Sequence, residues 1–304
     1  MSSTQFSLAK LRAATNNFST DNVIGTGRSG LIYKAHLSNG LTVAIKNYDP
    51  DRFQGFREFR AEAEALGKLR HPNIVKLLSY QASGSVMLLV YEYVERGNLH
   101  ERLRESCSFS WFDKFKILRG VANGLAYLHG LENPVIHRDI ASRNVLVDSD
   151  YEPRIINFGL SRTIDKCHSL SHVSTAVAGS VPYMAPEYRS GSTKATVKGD
   201  VYSFGILMME TVLGPTRCSR YFKVSAQNRD FDLVEWVRGI ELDKIISDFS
   251  GYSGYFVDAL WPEYIRIALL CANDNPEDRP VMNEVVQMLN QILPHTPASS
   301  RSTG

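Results

Sequence analysis

Gly25, Gly27 and Gly30 stand in a G-x-G-x-x-G spacing, and the residues that follow, Leu31-Ile32-Tyr33, read as a strand. Glycines let backbone N–H groups approach an anion closely, so a glycine turn between two strands can fold over phosphates. A dinucleotide-binding glycine turn opens a helix instead. The spacing by itself also suits a plain surface hairpin. Lys46 follows the apolar run Val43-Ala44-Ile45, and is either a solvated strand end or an ammonium directed at the same phosphates. Further along, Asp139 and Asn144 lie five positions apart, with Asn157 beyond them. A carboxylate can take the proton of a hydroxyl, and an amide oxygen can ligate a hard divalent cation.

These residues need elements to hold them. Leu8, Leu11, Ala14 and Phe18 recur at roughly helical spacing, which predicts a lead-in helix over 6–18 packed on a first lobe. Val23-Ile24, Leu31-Ile32-Tyr33 and Leu41-Val43-Ile45 read as strands, and Asn39-Gly40 between the last two is a hairpin signal. Residues 53–70 are rich in helix formers with one apolar face, and Val86 to Tyr91 reads as a further strand. From Gly97 onward the pattern is mostly helical, with Leu118–Leu128 and Val201–Leu213 apolar enough to be buried. Strands first and helices later predict an α+β chain of two lobes. The expected division is a lead-in segment at 1–19, a small β-rich lobe at 20–93, a larger helical lobe at 94–293 and a disordered Ser/Thr/Pro-rich tail at 294–304.

Composition excludes several classes. A net charge of +2, with 43% hydrophobic and 22% charged residues, gives no field that would draw nucleic acid or an anionic membrane. Cys107, Cys167, Cys218 and Cys271 are too dispersed for a zinc or redox spacing, so reduced thiols in the cytosol are expected. No apolar run reaches the ~18 residues of a membrane span. The chain is therefore read as cytosolic, or as the intracellular part of a longer receptor.

His137-Arg138-Asp139-Ile140-Ala141-Ser142-Arg143-Asn144 followed by Asn157-Phe158-Gly159 resembles the protein-kinase pair HRDxxxxN and DFG, with asparagine in place of the second aspartate. Val43-Ala44-Ile45-Lys46 resembles the VAIK strand, and Ala185-Pro186-Glu187 and Asp278-Arg279-Pro280 fit the same family. The resemblance runs from about Phe6 to Leu293. It is nearest to plant receptor-like kinases related to interleukin-receptor-associated kinases, through Ala13-Ala14-Thr15-Asn16-Asn17-Phe18-Ser19, Leu89-Val90-Tyr91-Glu92-Tyr93 and Asp200-Val201-Tyr202-Ser203-Phe204-Gly205.

The resemblance implies a bilobal kinase fold that binds ATP and Mg2+, or Mn2+, and acts on a protein substrate or engages a partner kinase, not nucleic acid. Lys46 would contact the α/β-phosphates. A carboxylate must hold its ammonium, and Glu62 is favoured over Glu64, which lies about 200° away round a helix. Asp139 would accept the substrate proton, and Asn144 and Asn157 would ligate the metal. Ile32, Ala44 and Leu146 would sandwich adenine, Tyr91 would be the gatekeeper, and Glu92 and Tyr93 would offer hinge backbone. Leu66, Leu77, His137 and Phe158 would stack between the lobes, and Glu187 would pair with Arg279. Arg138 beside Asp139 implies control by phosphorylation in the polar segment before Ala185, with Ser174 and Thr175 the expected sites.

Four positions depart from or divide the pattern. Ala141 replaces the lysine of Ser/Thr kinases, and Arg143 stands where tyrosine kinases carry a compensating arginine. Ser180 keeps the hydroxyl with which Ser/Thr kinases steady the catalytic aspartate. Asn157 is the gravest change, because an amide brings no negative charge to magnesium. It admits two expectations: a Ser/Thr kinase of lowered activity, or a pseudokinase that binds nucleotide or a partner.

Overall fold

A computed structural model describes residues 6–51, 54–105, 109–165, 172–174, 178–213, 221–223, 230–239 and 255–292. The tail expected at 294–304 and three of the cysteines, Cys107, Cys167 and Cys218, lie outside these residues.

Helix α1 (Leu8–Ala14) is short, and its stability comes from docking. Leu11 is fully buried in a cluster with Phe6, Tyr33, Val43, Ile45 and Leu88. The Thr15 hydroxyl donates back to the Leu11 carbonyl at 2.8 Å and accepts the Phe18 N–H at 3.0 Å, ending the helix in a turn. Strands β1 (Val23–Gly27), β2 (Gly30–His36), β3 (Thr42–Tyr48), β4 (Leu77–Ser83) and β5 (Val86–Glu92) form one antiparallel sheet in the order β1-β2-β3-β5-β4. Gly40 takes φ +84° in the β2–β3 turn, as the Asn-Gly signal anticipates.

One expectation about strands needs correction, and one strand had no expectation. Lys46 does not end its strand: Asn47 still pairs with Leu31 and Leu88, and Tyr48 with Gly30. Strand β4 was not legible, because LLSYQAS carries no clean alternation; as an edge strand it is set by its ladder to β5. Helix α2 (Gly55–Lys68) falls within the expected span, and Glu58, Phe59, Glu62 and Leu66 share its buried face.

The larger lobe begins with α3 (Leu99–Arg104), capped by the Asn98 side chain, and α4 (Trp111–Gly130), whose Ser110 and Asp113 form a capping box. Short strands follow: β6 (Val135–Ile136), β7 (Val145–Val147), β8 (Pro153–Ile155) and β9 (Arg162–Thr163), paired β7 with β8 and β6 with β9. They shape the loops that carry the polar residues. Helices α5 (Pro186–Arg189), α6 (Val197–Leu213), α7 (Leu233–Gly239), α8 (Tyr255–Cys271) and α9 (Met282–Ile292) complete the lobe. Every residue of α6 from Gly199 onward is buried, which makes it the axis of the core. Burial pushes the Cys271 thiol up to about 12, so it stays protonated and inert.

Arg279 pairs with Glu187 through two bonds of 2.7 and 2.8 Å, and its remaining N–H groups reach the carbonyls of Asn273, Lys198 and Asp274. All five donors are satisfied and the side chain is fully buried. Arg279→Ala strands the Glu187 carboxylate and empties the site. It should destabilise the fold by about 3–5 kcal/mol in urea denaturation; a loss within the range of an ordinary surface substitution would remove the pair from that role.

Candidate active site

The glycine turn sits directly on the lysine. Gly27 and Gly30 pair across the β1–β2 ladder with Arg28 and Ser29 at the tip, and Gly25 pairs with Ile32. Gly30 is obligatory, since a Cβ there would fall 1.9 Å from the Asn47 carbonyl oxygen. A Cβ on Gly27 would lie 3.8 Å from Lys46 Cε. Ile32 pairs with Lys46, so Ile32, Ala44 and Lys46 share one face of the sheet. Ile32, Ala44 and Leu146 are half-buried, whereas their neighbours Tyr33, Val43, Ile45, Val145 and Val147 are buried. That contrast suits walls of a cleft for a flat apolar group. At the hinge, the Glu92 N–H bonds the Lys76 carbonyl, and its carboxylate takes the Lys76 N–H and pairs with Arg154. Tyr93 lies under the Lys34 ammonium.

Lys46 is buried and needs compensation. Its Nζ donates to Glu62 Oε2 at 2.9 Å and to Asn157 Oδ1 at 3.2 Å. Glu64 is exposed and pairs with Arg60, so Glu62 is the partner. Sequence reasoning missed Tyr48: its hydroxyl donates to the same Glu62 oxygen, and its ring lies 4.7 Å beneath the Lys46 ammonium. Burial alone would push the Glu62 pKa up; the Lys46 charge and the Tyr48 hydroxyl outweigh it and hold the carboxyl below its usual value. Burial and the Glu62 charge push the Tyr91 hydroxyl well up; it feels that carboxylate but makes no hydrogen bond of good geometry.

Across the cleft, Asp139 is held on both oxygens. Oδ1 accepts the Ser180 N–H and hydroxyl, both at 2.7 Å, and Oδ2 accepts Asn144 Nδ2 at 2.9 Å. Asn144 Nδ2 also reaches the Asp139 carbonyl at 2.7 Å, and Asn157 Nδ2 donates to Asn144 Oδ1 at 3.3 Å. Ala141 is buried, while Arg143 is exposed beside this loop. His137 Nε2 must be the donor to the Ile156 carbonyl at 2.9 Å, so Nδ1 accepts the Asp139 N–H at 3.2 Å. The His137 ring meets Phe158 edge to face at 4.8 Å, and Leu66 and Leu77 belong to the same core.

Asp200 is a second residue the sequence reading left without a role. From α6 its carboxylate accepts the His137 N–H at 2.7 Å and the Arg138 N–H at 2.8 Å, with His129 at 3.1 Å. Arg138 takes φ +70°, an unfavourable value for a long side chain, and these bonds hold it there. A third is Glu58, which accepts the Ser29 hydroxyl and ties the glycine turn to α2. Burial, then the neighbouring charges of Arg162 and Arg57, lowers the Arg138 pKa, which places three guanidinium groups within one another's field. Ser174 pairs with Lys194 in a two-stranded ladder, and Thr175 lies outside the described residues.

The residues present suit a nucleotide and magnesium unequally. The glycine turn, the apolar walls and the Lys46–Glu62 pair fit ATP. The expected metal ligands fit Mg2+ poorly: Asn144 and Asn157 offer two uncharged oxygens, each already accepting a hydrogen bond.

Residues 18–289 match the protein tyrosine and serine/threonine kinase family, and the chain belongs to it. It is 40% identical to the leucine-rich repeat receptor protein kinase EMS1 of Arabidopsis thaliana, over 94% of this chain and 24% of that protein. It is 36% identical to the serine/threonine-protein kinase CDG1 of Arabidopsis thaliana, over 98% of this chain and 70% of that one. The receptor protein-tyrosine kinase CEPR1 of Arabidopsis thaliana is 39% identical over 90% of this chain and 29% of its own length. The chain thus spans about a quarter of the first of these receptors. Among the described residues, no helix is long and apolar enough to cross a membrane.

Removing only the Tyr48 hydroxyl, in Tyr48→Phe, should cost about 1.5–3 kcal/mol, as a lost bond to a charged group. The Glu62 contribution is present above the ordinary carboxylate pKa and is lost as pH falls through its depressed folded value. The variant raises that folded value, so the acid loss of stability should be smaller and complete at higher pH in urea titrations across the acid range. An unmoved acid limb would show that Tyr48 does not hold Glu62.

Proposed function

We propose that this chain transfers the γ-phosphate of ATP to Ser or Thr hydroxyls of protein substrates, slowly, as the intracellular catalytic part of a plant receptor-like kinase or of a kinase associated with a membrane receptor. One observation carries this reading: Asp139 is held on both oxygens in the same cleft as an intact Lys46–Glu62 pair. Lys46 meets the phosphates beneath Gly25, Gly27 and Gly30, and Ile32, Ala44 and Leu146 enclose adenine next to the backbone of Glu92 and Tyr93. Asp139 takes the proton of the substrate hydroxyl as its oxygen bonds the γ-phosphorus and ADP leaves. The Ser180 hydroxyl on Asp139 supports Ser/Thr substrates, as does the likeness to the serine/threonine-protein kinase CDG1. Arg143 supplies the cation that Ala141 lacks.

Asn157 limits the rate, since one well-placed charge is commonly worth about 2.7–4 kcal/mol of transition-state stabilisation. A second reading rests on the same residue: the chain binds nucleotide or a partner kinase and signals by shape. Autophosphorylation with magnesium and with manganese separates the two. Asn157→Asp should raise transfer by on the order of a hundredfold or more, and Asp139→Ala in that background should abolish the gain. An unchanged rate in Asn157→Asp would move the limit to Ala141.

The guanidinium cluster of Arg57, Arg138 and Arg162 supports a phosphate acceptor role, and Ser174 and Thr175 are the proposed sources. Mass spectrometry of the active protein should find phosphate on one or both. Phosphate confined to the 294–304 tail would overturn that assignment.

A further inference from the structure

Lys46, Asn157, Asn144 and Asp139 form one directed chain of hydrogen bonds across the cleft. Lys46 Nζ donates to Asn157 Oδ1 at 3.2 Å, and Asn157 Nδ2 donates to Asn144 Oδ1 at 3.3 Å. Asn144 Nδ2 then donates to the Asp139 carbonyl and carboxylate at 2.7 and 2.9 Å. The direction is imposed from both ends. An ammonium has only protons to give, whereas a carboxylate and a carbonyl only accept. Turning the Asn157 amide would set its N–H groups against the ammonium. Turning the Asn144 amide would set its oxygen against the Asp139 carboxylate. Each amide is therefore locked with its oxygen engaged.

We infer that this amide pair stands in place of a divalent cation, so that the site takes the metal-free adenine nucleotide. The inference rests on the nucleotide reading above and specifies which form of the ligand binds. Two physical effects support it. A cation would compete for amide oxygens whose other lone pair already accepts a hydrogen bond, and it would find no carboxylate at 157 in return. The charges point the same way. Two carboxylates close this chain of bonds, Glu62 at the Lys46 end and Asp139 at the other. A carboxylate at 157 would make three, and a polyphosphate would then be repelled unless a cation entered with it. A neutral amide removes that requirement. It also supplies the N–H that a carboxylate lacks, without which the link to Asn144 cannot form.

Asn157→Asp is a clean probe. The side chains match in shape, and both residues tolerate the left-handed φ of +69° found here. Calorimetric titration of the protein with ATP, in magnesium and separately in EDTA, tests the inference. The native chain should bind within about threefold under the two conditions. Asn157→Asp should lose about tenfold or more in EDTA and recover with magnesium. Lys46→Ala should weaken binding in both. Native affinity that falls about tenfold in EDTA would overturn the inference while leaving the nucleotide reading intact. Equal metal dependence in the native chain and Asn157→Asp would also overturn it. Absence of binding under both conditions, or indifference to Lys46→Ala, would overturn the nucleotide reading and the inference with it.

Discussion

A buried ammonium at the junction of the two lobes governs how this molecule is put together. Lys46 projects from β3 into a place almost closed to water. A charge there is tolerable only if acceptors are brought to it. They come from two directions: Glu62 from α2, and Asn157 from the loop of the larger lobe. The position of α2 on the sheet and the approach of the lobes are thus tied to a single charge. Tyr48 strengthens the arrangement from within the strand, offering a hydroxyl to the carboxylate and a ring face to the ammonium.

The larger lobe meets a comparable demand with a different device. The loop bearing Asp139 passes through a backbone conformation that costs energy at Arg138. The cost is offset by Asp200, whose buried carboxylate accepts two consecutive N–H groups of that loop. Since α6 is buried along nearly its whole length, it cannot shift, and what hangs from Asp200 inherits its rigidity. Asp139 then needs only the local donors of Asn144 and Ser180 to be oriented on both oxygens. Ser180 comes from the segment before Ala185, so the orientation of Asp139 depends on where that segment lies.

Asn157 joins these two systems. An aspartate there could still accept from Lys46, but it would have no N–H to give to Asn144. With asparagine, one side chain accepts from Lys46 and donates to Asn144, which connects the lysine to the loop of Asp139. Loss of a charged ligand and gain of an internal bond are two consequences of one amide.

Local pattern was enough to read several parts of this architecture. The glycine turn between strands, the Asn39-Gly40 hairpin, the buried face of α2 and the apolar α6 each follow from periodicity or turn chemistry within a short window. Helical geometry shows that Glu62 and Glu64 cannot both face inward, and the resemblance favours Glu62, which pairs with Lys46. The family resemblance added the distant pairing of Glu187 with Arg279, which local pattern does not contain. Other features waited for the tertiary structure. Strand β4 exists because β5 offers it an edge, not because its own residues alternate. Tyr48 gained its role only where its hydroxyl met Glu62 from another element. Asp200, Glu58 and the orientation of the two amides were equally silent, since a donor or acceptor acquires its role from a partner far away in the chain. Sequence determines which groups a segment can present; only the packed fold decides which of them meet.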